Sequence, residues 1–324
     1  MFTFVFPGQG SQQPGMGRFL FDNFKIAQET FNEASDALNL DLKKLCFEGS
    51  ESELALTENT QPALLVVSTA AQRVLTQHLG IKADSAAGHS IGEYAAMVAA
   101  NAVRFDDAMR AVRIRGQAMQ SAVPVGQGGM VAVMGLEPEQ VEAMCDYVTK
   151  TSGLGPLSPA NFNAPGQIVI SGSQAAITWL KDNFKPELIF SEQPKRAKLI
   201  PLSVSAPFHC EMMRPAEEKM RSILSSMNFN NAHFPIVQNY HAKAETEGPL
   251  LRENLIRQVS APVRWIQCMG TLKSMGSERL IECGAGKVLQ GLIKKIDGEY
   301  FKVMTTSSLE DLKMIEETLK ALSH

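Results

Sequence analysis

The chain lacks any C-x-x-C pair, and its five cysteines, Cys46, Cys145, Cys210, Cys268 and Cys283, are scattered and odd in number. That spacing supports neither a disulfide framework nor a zinc site, so the cysteines read as reduced thiols of a cytoplasmic protein. No stretch approaches the ~18 continuous apolar residues of a membrane span, and "MFTFVFPGQG" carries no basic segment ahead of its short apolar run. Neither charge sign dominates. With 31 basic against 34 acidic side chains and a formal charge of -3, no footprint of a nucleic-acid binder or polybasic membrane anchor is present. Repeats, low-complexity tracts and long linkers are missing too. At 324 residues the chain can bury a sizeable core, as one enlarged domain or two subdomains.

What is present reads as alternating strands and helices. Phe2 to Phe6 is an apolar aromatic run stopped by Pro7 and Gly8, which predicts a buried strand feeding a tight loop. Helical periodicity follows at 22–38, at 41–46, and from Thr60 to a stop at Gly80. "ADSAAGHS" and "IGEYAAMVAA" place Ser90 where a short strand turns into a helix. A further helix from about Asp106 to Ala122 sets Arg113 and Arg115 on different faces. From Gly126 the pattern becomes βαββαβ, a ferredoxin-like signature over 126–202. The larger α/β pattern then resumes: helix near 211–227, strand "FPIVQN", helix 249–258, strand "RLIECG", helix 286–295, strand "FKVMTT" and a terminal helix. The expected fold is α/β, with a hydrolase-like body (1–125 and 203–324) carrying an inserted ferredoxin-like subdomain (126–202).

The motif with chemical content is Gly88-His89-Ser90-Ile91-Gly92. It fits G-x-S-x-G, in which small flanking residues allow a sharp turn that exposes the hydroxyl and aims the next N–H at an oxyanion. A Gly-flanked loop serine with no reactive role fits the same five residues. A serine nucleophile needs a base within hydrogen-bond reach. Of the six histidines, His324 is terminal, His78 lies on a helix, and His233 and His241 flank a strand; His89 adjoins the serine and supports the turn. His209, where the chain returns from the insert to the body, is the remaining candidate. "GAGKV" at 284–288 lacks the phosphate-loop spacing and the Ser/Thr after its lysine.

Taken together, "FPGQGSQ" at 6–12, "GHSIGEY" at 88–94, Arg115 in "RIRGQAMQ", "ANFNAPGQ" at 160–167 and "SAPFH" at 205–209 resemble the malonyl-CoA:acyl carrier protein transacylase family. "RQVSAPVRW" at 257–265 and "ECGAGKVLQGLIKK" at 282–295 extend the resemblance, with Ala285 standing where the family usually has proline. The resemblance implies Ser90 as nucleophile, His209 as its base, and the main-chain carbonyl of Gln258 orienting the imidazole. It also implies an oxyanion hole from the backbone N–H groups of Gln9 and Ile91, and Arg115 as the cation that binds a free carboxylate. Asn161 and Asn163 fall near the site with no assigned role. Phe208 is bulky enough to narrow the acyl pocket toward malonyl over methylmalonyl, or is plain core packing.

The implied reaction moves a malonyl group from malonyl-CoA to the phosphopantetheine thiol of holo acyl carrier protein through a malonyl-serine, by ping-pong kinetics. No resident cofactor or metal is expected, and the partners are malonyl-CoA and the carrier, with no nucleic acid or membrane. A discrete monomeric enzyme serving fatty acid synthesis is the expectation; polyketide synthesis uses the same reaction. Lys195, Arg196 and Lys198 offer a docking patch for an acidic carrier, or an ordinary solvated stretch. The competing readings are a serine esterase or thioesterase, which would have no need of Arg115, and a noncatalytic carrier-binding module, against which the Ser90, His209 and Arg115 set argues.

Overall fold

A computed structural model describes residues 1–190, 197–204 and 206–322. Among these described residues, ten strands form two sheets. The first contains β1 (Thr3–Phe6), β2 (Ser85–Gly88), β7 (Ile236–Val237), β8 (Ala244–Glu245), β9 (Arg279–Glu282) and β10 (Lys302–Thr305) in the order β10-β9-β1-β2-β7-β8. All its pairings are parallel except the β7–β8 edge.

The central strands are apolar throughout because both faces of this sheet are covered. Phe4, Phe6 and Ala86 pack into a core with helices Thr57–Arg73 and Phe105–Ser121, whereas Val5, Ala87 and Leu280 face helices Trp265–Ser274 and Val288–Asp297. Strand alternation thus separates neighbouring side chains into two cores. The helix expected from Thr60 begins three residues earlier, runs through Pro62, and ends in a π-helical turn at Val74–His78 ahead of Gly80. "FPIVQN" yields only the two-residue strand β7, because its later residues turn inward toward the Ser90 turn.

The second sheet contains β3 (Gly128–Met134), β4 (Leu157–Ala164), β5 (Gln167–Ser173) and β6 (Lys198–Pro201), antiparallel in the order β4-β5-β3-β6. With helices Pro138–Ser152 and Gln174–Asn183, this is the ferredoxin-like strand order read from the βαββαβ pattern; one short helix, Pro186–Ile189, is added before β6. Val131, Val133, Ile168 and Ile170 point to the helices, while Met130 and Val169 join the larger core. That second face closes over the end of β2, and β4 is tied to the body by hydrogen bonds exchanged with Val263 at 2.9 and 2.8 Å. Of the suggested basic patch, Lys198 is exposed at the start of β6; Lys195 and Arg196 lie outside the described residues.

Candidate active site

The site grows from the end of β2. Ser90 has φ 52°, a left-handed conformation that costs about 1 kcal/mol or more for a residue with a side chain. The glycines on either side are demanded by contact. A Cβ on Gly88 would sit 2.0 Å from the carbonyl carbon of Gly92, and one on Gly92 would sit 2.2 Å from the Phe6 carbonyl oxygen. The turn therefore stacks directly on β1, with His89 N donating to Phe6 O at 2.9 Å. Asn239, just beyond β7, clamps it: Ser90 N donates to Asn239 Oδ1 (2.8 Å), and Asn239 Nδ2 donates to Gly88 O (2.7 Å).

This geometry lifts the Ser90 hydroxyl to 2.7 Å from His209 Nε2. His209, itself at φ 58°, donates from Nδ1 to the main-chain carbonyls of Gln258 (3.0 Å) and Ala261 (3.2 Å). Two carbonyl acceptors on Nδ1 leave Nε2 as the basic nitrogen. Burial, followed by the Arg115 cation, pushes the imidazole down to a pKa of about 3, so it is neutral.

Arg115 projects from helix Phe105–Ser121 and is only 1% exposed. Its Nη1 donates to Gln61 Oε1 (3.0 Å), and its Nη2 donates to Gln258 Oε1 (2.9 Å) and Ser90 Oγ (3.2 Å). Its Nε has no partner among the described residues. All three acceptors are uncharged. Arg113, by contrast, is a structural residue, bonded to Glu58 O (2.7 Å) and Asn59 Oδ1 (2.6 Å) and paired with the Glu58 carboxylate (3.3 Å).

These groups share a cavity of about 170 Å³. Gln9, Ile91, Asn161 and Asn163 also line it, while Met119, Met130, Val169 and Phe208 form an apolar wall. The backbone N–H groups of Gln9 and Ile91 have no acceptor among the described residues. His89 is turned away from the hydroxyl: its Nε2 meets Asn163 Oδ1 at 2.7 Å and its ring packs on Trp265.

Sequence reasoning missed three residues that hold this constellation: Gln61, Asn239 and the buried Glu93. Glu93 accepts from Asn239 N and from Gln258 Nε2, the latter at 2.7 Å. Its position one helical turn after Ser90 is the only sequence signal for it, since a carboxyl there reaches back to the turn. The side chain of Gln258 was likewise unforeseen, although its carbonyl was anticipated.

The "GAGKV" loop holds no phosphate position. The buried Glu282 fills the N-terminus of helix Val288–Asp297, accepting from Leu289 N (2.9 Å) and Gln290 N (2.8 Å). Among the described residues, no group of three or more His, Cys, Asp or Glu side chains could hold a metal ion, and no helix is long and apolar enough to cross a membrane. All five cysteines are buried free thiols.

Comparison with known proteins agrees with this architecture. Residues 3–295 match the acyl transferase domain family. The malonyl CoA-acyl carrier protein transacylase of Bacillus subtilis (strain 168) is 42% identical over 318 residues, covering 98% of this chain and 97% of its own. That of Escherichia coli O157:H7 is 42% identical over 310 residues, covering 96% of each. Among solved structures, the acyl-carrier-protein S-malonyltransferase of Burkholderia pseudomallei 1710b superposes with a TM-score of 0.89 at 41% identity, covering 98% of this chain and 99% of the other. A malonyl-transacylase in complex with its holo type II PKS acyl-carrier protein gives 0.90 at 39% identity, with coverage of 98% and 99%. The chain therefore belongs to the malonyl-CoA:acyl carrier protein transacylase family of acyl transferases.

Proposed function

We propose that the protein transfers a malonyl group from malonyl-CoA to the phosphopantetheine thiol of holo acyl carrier protein, through an ester on Ser90. The observation that carries this reading is Arg115: a buried guanidinium 3.2 Å from the Ser90 hydroxyl, resting on neutral acceptors only. A buried unpaired charge costs several kcal/mol, and a substrate carboxylate offsets that cost while fixing the acyl group beside the serine. A neutral acyl group cannot.

In the first half-reaction His209 Nε2 takes the Ser90 proton as Oγ attacks the thioester carbonyl. The tetrahedral oxyanion is held by the N–H groups of Gln9 and Ile91, which have no other acceptor among the described residues. The C–S bond then breaks, and coenzyme A leaves with the proton from His209. In the second half-reaction the carrier's thiol gives its proton to His209 and attacks the malonyl ester; the acyl C–Oγ bond breaks, and Ser90 Oγ takes the proton back from His209 Nε2. The carbonyls of Gln258 and Ala261 keep the imidazole in the required tautomer, so no acidic third member is needed. Phe208 lines the cavity, and its bulk is proposed to favour malonyl over methylmalonyl.

A monomeric enzyme is proposed, and five buried free thiols fit the reducing cytoplasm. No resident cofactor enters the scheme. Fatty acid synthesis is the pathway proposed, with a polyketide carrier using the same chemistry. The test is intact mass after brief exposure to malonyl-CoA, then addition of holo carrier protein. A malonyl adduct on Ser90 that moves to the carrier supports the reading. An adduct lost only to water identifies a hydrolase, and no adduct on the folded protein removes Ser90 as nucleophile.

A further inference from the structure

Gln258 lies between two groups that allow its amide only one orientation. Its Nε2 donates to Glu93 Oε2 at 2.7 Å and to Ser90 O at 3.0 Å, and its Oε1 accepts from Arg115 Nη2 at 2.9 Å. A carboxyl on one side and a guanidinium on the other leave no alternative, because the flipped amide would face oxygen with oxygen and donor with donor. Glu93 is itself fixed, since its other oxygen accepts from the main chain of Asn239, and it is fully buried. Nothing in the reaction scheme uses this carboxyl.

We infer that Glu93 is a positioning residue that acts through the Gln258 amide to hold the Arg115 fork ready for a carboxylate, and so sets the preference for carboxylate-bearing acyl groups. The spacing is what matters. A carboxylate in direct contact with Arg115 would form a closed ion pair that the substrate would have to break. A carboxyl placed behind a neutral amide orients the guanidinium and leaves its charge for the ligand. Gln61 supports the same arrangement from the other side, offering a second amide oxygen to Nη1 at 3.0 Å while its own Nε2 faces Met119 Sδ.

This inference rests on the proposed transfer reaction, and the test separates the two. The unchanged protein, Glu93→Gln, and the double exchange Glu93→Gln with Gln258→Glu are each given an equimolar mixture of malonyl-CoA and acetyl-CoA. The malonyl and acetyl adducts on Ser90 are then read by intact mass at early times. In E93Q one acceptor becomes a donor, so the side chain can no longer accept from both Asn239 N and Gln258 Nε2, and the amide that orients Arg115 loses its anchor. The malonyl-to-acetyl ratio is expected to fall about tenfold or more, the loss corresponding to one hydrogen bond to a charged group. The double exchange keeps one carboxyl and one amide in the pair but takes the donor away from Ser90 O and sets the carboxyl directly against Arg115, so the ratio stays low. It also reads the same step should E93Q fail to fold. Equal loss of both adducts in E93Q, or a wild-type ratio in either variant, overturns the inference. Absence of a malonyl adduct in the unchanged protein removes the proposed function and this inference with it.

Discussion

Replacing Arg115 by Ala separates binding of a carboxylate from the rest of the machinery. The side chain is buried and lies against Ser90 Oγ, Gln61 and Gln258. Its removal leaves the Ser90–His209 contact of 2.7 Å and both carbonyl acceptors of the imidazole in place. A malonyl carboxylate entering the variant site would be buried without a partner, at a cost of about 3–5 kcal/mol. At 1.36 kcal/mol per tenfold, kcat/KM for malonyl-CoA should fall by roughly two to nearly four orders of magnitude. Acetyl-CoA has no carboxylate, and its rate should change by less than about tenfold, the scale of one lost hydrogen bond to Ser90 Oγ. Arg115→Lys keeps the charge without the planar fork, so it should recover only part of the loss. Adduct formation under single-turnover conditions measures all three proteins on both substrates. Equal loss on the two thioesters, or undiminished malonyl transfer in R115A, would refute the assignment of Arg115.

Three further outcomes follow from named contacts. Gly92→Ala drives a methyl into the Phe6 carbonyl, 2.2 Å away on main chain that cannot yield; a loss of about 2–3 kcal/mol in urea unfolding is expected, and an unchanged midpoint would contradict the packing described. Phe208→Ala should raise turnover of methylmalonyl-CoA relative to malonyl-CoA, whereas comparable turnover of both by the unchanged protein would show that Phe208 excludes nothing. Glu282 is pushed up to a pKa of about 7 by burial, from an ordinary 4.5. The folded state therefore binds the extra proton between these values, and stability falls as pH rises through that window, by roughly 2–3 kcal/mol. Glu282→Gln should flatten this slope; parallel urea midpoints for both proteins from pH 4.5 to 7.5 would refute it.

The sequence stated the frame more clearly than the joints. Phe2 to Phe6 and the βαββαβ run are legible because burial on one or both faces imposes a periodicity that survives in any single stretch of chain. Ser90 is legible because Gly88 and Gly92 mark the turn locally. His209 came partly by elimination among six histidines, and Arg115 only through the resemblance to a family, since an arginine on an amphipathic helix carries no local mark of burial. Glu93, Asn239, Gln61 and the Gln258 side chain were not legible. The bonds that tie Gln61 to Arg115, Glu93 to Asn239 and Gln258, and Gln258 to Ser90 span from 54 to 168 positions of sequence, and Asn and Gln are at home on surfaces, so only the folded chain shows that they meet.

The same distances expose a tension within the proposed mechanism. Arg115 must attract the substrate, yet its field is the second cause, after burial, holding the His209 imidazole down to a pKa of about 3. So weak a base is poorly matched to removing a serine proton at neutral pH. A malonyl carboxylate on Arg115 cancels that field at the moment when the base is needed. An acetyl group leaves it in force. The cation would therefore discriminate twice, once in binding and once in the basicity of its neighbour. The consequence is measurable, because kcat/KM reports ionisations of the free enzyme, and the rate at saturation reports those of the complex. For malonyl-CoA the acid limb of the saturated adduct-forming rate should lie at higher pH than the limb of kcat/KM, since His209 is released from the Arg115 field only in the complex. For acetyl-CoA the two limbs should coincide. Coincident limbs for malonyl-CoA would mean that burial alone governs His209 and that Arg115 serves binding only.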